Sequence, residues 1–323
     1  MTTAEDQPYA IGVRVHPHQL IGVITNLDGE IVRFAAEAAE PGVVTWGLRN
    51  TTPATVVDAV AALRTELSMV ASDLGGSVVG LGVTVGGHVD GEGGEVQFSP
   101  SLGWKAVSLR PLLMEATDLE AVNVENDAKT LAVAEQLFGH GREHKSFAVL
   151  RIHTGVGCGL VIGHDLYGGK TGLAGELGHL VLEPGGNPCR CGGRGCLQTI
   201  ARRNAILGAV RAAGGPSLDT AEALADLAGE GDHAALAAIE RAGEALGRGL
   251  SMLVNLLNLE LVVLYAEKPL LNATTYLQSV QAALETHAFS SAASDCRVIP
   301  EVLTDVLEAR VAGSMAFQHF YPT

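Results

Sequence analysis

The sequence predicts an α/β protein built from two similar lobes with a cleft between them. Apolar strand-like runs alternate with longer amphipathic stretches, the pattern of mixed or mainly parallel sheets covered by helices. A strand–turn–strand–hairpin meander near the N-terminus starts again after residue 145. The length, 323 residues, suffices for one large or two medium cores. Aromatics make up 4% of the chain against 47% apolar residues, so those cores must be built from Ala, Val and Leu.

Residues 10–35 read as three short strands, AIGVRV, LIGVIT and EIVRFAA. Turns at HPHQ and NLDG join them, signalled by Pro17 and Asp28-Gly29. A helix is predicted over 54–74, capped near Thr51/Thr52 with Pro53 in its first turn. SVVGLGVTVG is a buried strand and HVDGEGGEV a turn-rich excursion, followed by a helix near 107–116 and a strand at 120–125. After a helix at 127–139 the meander repeats as KSFAVLRIH, GCGLVIG and HDLYGG. Ala-rich helices cover 197–258, LELVVLY is a strand, 269–287 a helix, CRVIPEV a strand and 305–319 a terminal helix. The lobes are expected at 1–125, completed by the C-terminal helix 305–323, and at 126–304.

The net charge of −15, from 36 acidic and 21 basic residues, repels a polyanion. With no Lys/Arg-rich arm, the chain is not expected to bind nucleic acid directly. No apolar run approaches the roughly 20 residues of a membrane span, so no membrane association is expected. The N-terminus MTTAEDQPYA lacks the basic and apolar regions of a signal peptide. Five cysteines, three of them clustered, suit a reducing cytoplasm better than a disulfide framework. Cys158, between glycines in an apolar run, reads as a small core residue.

From His179 to Cys196 the chain reads H-L-V-L-E-P-G-G-N-P-C-R-C-G-G-R-G-C. His179, Cys189, Cys191 and Cys196 form a complete tetrahedral ligand set for Zn²⁺, with no position left for water. Such a metal is structural. Asn126-Asp127 stands where a strand runs into a helix, at the sheet edge where α/β proteins bind ligands. Asp127 could act there as general base, and either residue could equally cap the helix. Glu176 and His179, three apart, could face one cavity, or Glu176 could be the outer partner of a metal-bound imidazole. Thr154-Gly155-Val156-Gly157 is a turn whose amides could cradle phosphate, or simply a glycine turn.

Together these segments resemble the ROK family of repressors, open reading frames and sugar kinases. G-L-A-G-E-L-G-H followed by C-R-C-G-G-R-G-C-L matches the family signature almost residue for residue, with E-N-D-A, I-H-T-G-V-G and F-S-P-S-L-G-W in support. The resemblance covers most of the chain and implies a two-lobed actin-like ATPase (ribonuclease H-like) fold. It implies a hexose pocket using Asn126, Asp127, Glu176 and His179, with His179 also ligating zinc. In the family's kinases the aspartate deprotonates the sugar's 6-hydroxyl, which would make Asp127 the catalytic base.

The departures point away from phosphoryl transfer. Family kinases open with D-x-G-G-T, serving phosphate and Mg²⁺; here the first turn reads Arg14-Val15-His16-Pro17-His18. A glycine pair near the adenosine is replaced by Tyr265-Ala266-Glu267, and a phosphate-facing glycine by His153. The nucleotide turn Thr154, Gly155, Gly157 is therefore expected to be degenerate, with no use of ATP and Mg²⁺. On the sugar side, Gln198 replaces the family's glutamate and Ser101 its asparagine, which leaves sugar binding expected and its specificity open. The expectation is a cytoplasmic sugar-sensing body, closer to the family's transcriptional regulators than to an active kinase. It binds a sugar or sugar derivative without phosphorylating it. With a first strand near residue 10, no helix-turn-helix of its own is expected. The rivals are an ATP-dependent hexose or N-acetylhexosamine kinase and a non-catalytic dimeric scaffold. The resemblance also implies a homodimer or tetramer.

Overall fold

The computed structural model describes residues 7–34 and 41–317. In chain order they form β1 (Gln7–His16), β2 (Gln19–Thr25), β3 (Val43–Gly47), α1 (Pro53–Asp73), β4 (Gly76–Val85), β5 (His88–Asp90), β6 (Glu95–Ser99), β7 (Trp104–Ser108), α2 (Leu109–Thr117), β8 (Val122–Asn126) and α3 (Asp127–Phe138). There follow β9 (Phe147–Ile152), β10 (Val156–Ile162), β11 (Asp165–Leu166), α4 (Gln198–Ala201), α5 (Arg203–Ala212), α6 (Ala221–Gly229) and α7 (His233–Leu257). The chain closes with β12 (Leu261–Ala266), α8 (Lys268–Asn272), α9 (Thr274–His287), α10 (Ala292–Asp295), β13 (Arg297–Val302) and α11 (Asp305–Met315).

Two five-stranded sheets carry the same logic. The first has the order β3-β2-β1-β4-β8, antiparallel from β3 to β1 and parallel from β1 to β8. The second has the order β11-β10-β9-β12-β13, antiparallel between β10 and β9 and parallel from β9 to β13. The repeated meander is thus a repeated sheet.

Chain contacts divide the molecule into two units. The first holds the described residues up to Arg142, Leu166–Ala174 and those from Thr304; the second holds Glu143–Asp165 and Gly175–Leu303. The changeover lies at 142/143 rather than at the expected 125/126 because α3 packs in the first unit: its Val133 joins Ala312 and Met315 of α11. α11 ends at Met315, so the expected helix is shorter, and its last residues, 318–323, lie outside the described ones.

In the first unit, period two decides which helix each strand residue meets. Odd positions of β1, Ile11 and Val13, pack with Val56, Val60, Leu63 and Leu67 of α1. Even positions face α11. There a Cβ on Gly12 would lie 1.9 Å from Ala309 O, and one on Gly82 of β4 1.7 Å from Ala312 O, so only glycine lets α11 lie this close. In the second unit, Leu150, Ile152, Val262 and Leu264 pack against Leu246, Leu250 and Val254 of α7 and Val280 and Leu284 of α9.

Two expectations need correction. The third strand is β3, not EIVRFAA: Ile31 makes only an isolated bridge to Thr25, and part of that run lies outside the described residues. Past the turn closed by Asn26 N–H to Glu30 O and Gly29 N–H to Asn26 O, the run meets β2 through that bridge and Val32 N–H to Ile24 O without forming a ladder. The β-branched run Val43-Val44-Thr45 then supplies the edge partner for β2. HVDGEGGEV is not merely turns: it starts an antiparallel three-stranded sheet, β5-β6-β7, buried through Val89, Val96 and Trp104.

Candidate metal centre and sugar-contacting residues

The loop between Leu180 and Leu197 folds back on itself. Val181 bridges Cys196 and Pro188 bridges Arg194, while Cys189 N–H donates to Gly193 O and Gly192 N–H to Cys189 O. These turns gather His179, Cys189, Cys191 and Cys196, whose ligand atoms all lie within 4.8 Å of one another. Cys191 Sγ is 3.8 Å from Cys196 Sγ, and Cys189 Sγ is 3.6 Å from His179 Nδ1. A tetrahedral Zn²⁺ with Zn–S about 2.3 Å and Zn–N about 2.05 Å has edges of about 3.8 and 3.6 Å. The group could therefore hold a metal ion, and its donor set fits zinc.

The thiols resist sharing charge without a cation. Burial pushes the Cys189 thiol up, but hydrogen bonds from the Cys191 amide, Gln198 and the neighbouring thiols outweigh it and bring it down to about 6. Burial and the neighbouring Cys189 and Cys191 thiols push Cys196 up to about 12. A divalent ion removes that conflict. Cys158 is a buried core residue, its thiol pushed to about 12 by burial and by the charge of Glu176.

His179 turns its two nitrogens to different neighbours. Nδ1 faces the cysteines, and Nε2 lies 3.7 Å from Glu176 Oε2, beyond hydrogen-bond length. The turn that brings Glu176 there requires Gly175, with φ of +87° and a face on which a Cβ would lie 2.2 Å from Cys158 O. Gln198 opens α4 directly after the last ligands and donates from Nε2 to Cys189 Sγ at 3.1 Å. Its Oε1 faces the turn at Gly155.

That turn, Thr154–Gly157, carries a salt-bridge network beside it. Arg203 Nη1 donates to Glu267 Oε1 at 2.8 Å, His153 Nε2 lies 3.7 Å from the same oxygen, and Arg203 N–H donates to His153 O. Burial raises the Glu267 pKa, and Arg203 only partly counters it. Two of the three departures on the nucleotide side, His153 and Glu267, thus share one partner, Arg203. The sequence reading did not single out Arg203, since nothing local links it to Glu267, 64 positions on.

In the first unit, Asn126 is the N-cap of α3: Oδ1 accepts from Ala128 N–H and Lys129 N–H, and Nδ2 donates to Gly87 O at 2.7 Å. Asp127 is buried, and its Oδ1 accepts from Ala128 N–H. Its Oδ2 and Ser101 Oγ approach the same bare face of Gly86, 3.4 and 3.8 Å from where a Cβ would sit. Asn126 thus caps while Asp127 and Ser101 converge. Arg14, an even position of β1, is buried, and its Nε lies 2.9 Å from both Asp305 Oδ1 and Glu308 Oε2 at the start of α11. Neither acidic partner was foreseen.

Among the described residues no helix is long and apolar enough to cross a membrane. Residues 11–318 match the profile of the ROK family. The chain is 26% identical over 321 residues to a xylose repressor of Bacillus spizizenii, covering 97% of this chain and 78% of that protein. It is 36% identical over 198 residues to a glucokinase of Thermotoga maritima, covering 57% of this chain and 62% of that one. The crystal structure of a ROK family transcriptional regulator, a homologue of the Escherichia coli MLC protein, superposes with a TM-score of 0.84 at 25% identity. That match covers 97% of this chain and 78% of the regulator. The α/β fold with its repeated sheet is the actin-like fold of these proteins. With the profile matched across both units, the chain belongs to the ROK family, whose members include transcriptional repressors and sugar kinases.

Proposed function

We propose that this chain senses a sugar or sugar derivative in the manner of a ROK regulator and does not phosphorylate it. The observation that carries the reading is Arg14. Where family kinases place a carboxylate for the phosphate and Mg²⁺ region, this chain has a buried guanidinium committed to Asp305 and Glu308. Putting Mg²⁺ there would set a dication beside a fixed cation. The Arg203–Glu267–His153 network adds a carboxylate next to the turn that would receive phosphate.

Sugar contacts fall to Asn126, Asp127 and Ser101 in one unit and to Glu176, His179 and Gln198 in the other. Zinc held by His179, Cys189, Cys191 and Cys196 would fix the imidazole orientation and tautomer, leaving Nε2–H to donate to a ligand hydroxyl. Ligand would act by binding two conformations of the protein unequally. The chain would assemble as a homodimer or tetramer, which sedimentation velocity tests.

Calorimetric titration with glucose, xylose and N-acetylhexosamines is expected to give saturable binding that Asp127→Ala abolishes. Mg-ATP should neither shift the melting temperature nor yield a phosphorylated sugar. Transfer of ³²P from ATP to any of these sugars would sink the sensor reading. One observation favours a kinase instead: Asp127 is kept, buried and facing the same space as Ser101. In that case Asp127→Asn would remove turnover while leaving sugar affinity within a few fold.

A further inference from the structure

Gln198 departs from the glutamate that the family resemblance implies, and its surroundings give the amide a use that a carboxylate could not serve. The side chain springs from the first residue of α4, whose other members, Thr199, Ile200 and Ala201, are buried. Leu197 before it is fully buried, and Thr199 Oγ1 donates to Cys196 O, so the backbone at 198 is held against the end of the metal loop. From there Nε2 reaches Cys189 Sγ at 3.1 Å, well inside hydrogen-bond range for sulfur. Its Oε1 lies on the other side, 3.6 Å from where a Cβ on Gly155 would sit. One amide thus spans the metal loop and the Thr154–Gly157 turn.

We propose that Gln198 is a positioning residue of the metal centre: its N–H holds the Cys189 thiolate in place. Three thiolates on a divalent ion leave a net negative cluster, and an N–H dipole aimed at one sulfur offsets that charge. Glutamate at 198 would turn an oxygen toward the same sulfur and repel it. With one amide hydrogen committed to Cys189, Oε1 and the second N–H remain to meet a ligand. The proposal rests on the reading of these four residues as a zinc site.

The test uses Gln198→Met, which keeps length and loses the donor, and Gln198→Glu, which adds charge. Wild-type protein is first assayed for zinc; less than one ion per chain, with no cobalt uptake, overturns the metal reading and this proposal with it. With zinc bound, transfer of the ion to an excess of chelator is followed by absorbance. Loss is expected on the order of 10-fold faster in Gln198→Met and faster still in Gln198→Glu. In cobalt-substituted protein the thiolate-to-cobalt charge-transfer band should move to lower energy in both variants, since an N–H bond withdraws electron density from sulfur. Packing alone would leave that band in place. A Gln198→Met protein with the wild-type chelation rate and an unshifted band overturns this proposal while leaving the zinc site standing.

Discussion

Arg14 shows how one side chain can be read correctly as a departure and still hide its role. Its identity in the first turn was visible at once; its partners were not, because Asp305 lies 291 positions away. The alternation of β1 sends Arg14 to the α11 face, and the first turn of α11 supplies two carboxylates, Glu308 only 1% exposed. Removing one member of a buried pair strands the other charge. Arg14→Met should therefore lower the unfolding free energy by about 3 kcal/mol in denaturant titrations. A loss below about 1 kcal/mol would mean that solvent, not Arg14, satisfies those carboxylates. Arg14→Asp, the change toward a kinase motif, should be worse still.

Glu125, beside the Asn126-Asp127 pair, gives a pH-dependent case. Burial raises its pKa, followed by the opposing influence of Lys129 and the Asn126 amide. The folded state thus holds a proton over a window in which the unfolded chain has lost it. Its contribution is fully present below the ordinary glutamate value and is lost as pH rises through the raised folded value. Glu125→Gln keeps an oxygen for the Asn126 N–H and removes the charge. Its stability relative to wild type should climb as pH rises above the ordinary glutamate value of about 4 and level off above the raised folded value. A stability difference that does not change with pH contradicts the assignment.

Among elements, those whose signal is local were legible. The N-cap Thr52 with Pro53 marked α1, the Asn126 cap marked α3, and the cysteine spacing marked the metal loop. β3 was misplaced because EIVRFAA has strand character but meets β2 past the Asn26–Glu30 turn through one bridge, Ile31 to Thr25, and Val32 N–H to Ile24 O, and pairing is a tertiary decision. The position of α11 depends on glycines whose purpose appears only once the helix is laid on them. Gly82→Ala would drive a methyl into Ala312 O, and overpacking of this kind should cost about 3 kcal/mol or displace α11. Thermal denaturation of Gly82→Ala beside an exposed control, Gly229→Ala, would show the difference. For the loop, Cys196→Ser should remove the bound metal and lower the melting temperature by several degrees, and a chelator should reproduce that shift in wild type. Retention of a full zinc equivalent in Cys196→Ser would exclude Cys196 as a ligand.

At the scale of the whole molecule, the duplicated sheet order was legible because each copy repeats the same run of short strands in sequence. The candidate sites were legible only in part. The four metal-ligand candidates sit within 18 consecutive residues, whereas the Arg203–Glu267 and Arg14–Glu308 pairs join distant segments. Net charge is the one property that needs no fold at all. At −15 the 323-residue chain should be repelled by duplex DNA, since non-specific affinity comes from releasing counterions with Lys and Arg. Fluorescence anisotropy with a 30-base-pair duplex of unrelated sequence at about 50 mM salt should show no binding up to roughly 100 µM chain, weaker than non-specific binders show even at physiological salt. Adding a sugar ligand should not change this, because sugars carry no charge to offset the repulsion. Micromolar binding that weakens steeply with salt would reveal a basic face that the overall charge conceals, and would make this chain itself a DNA-contacting body.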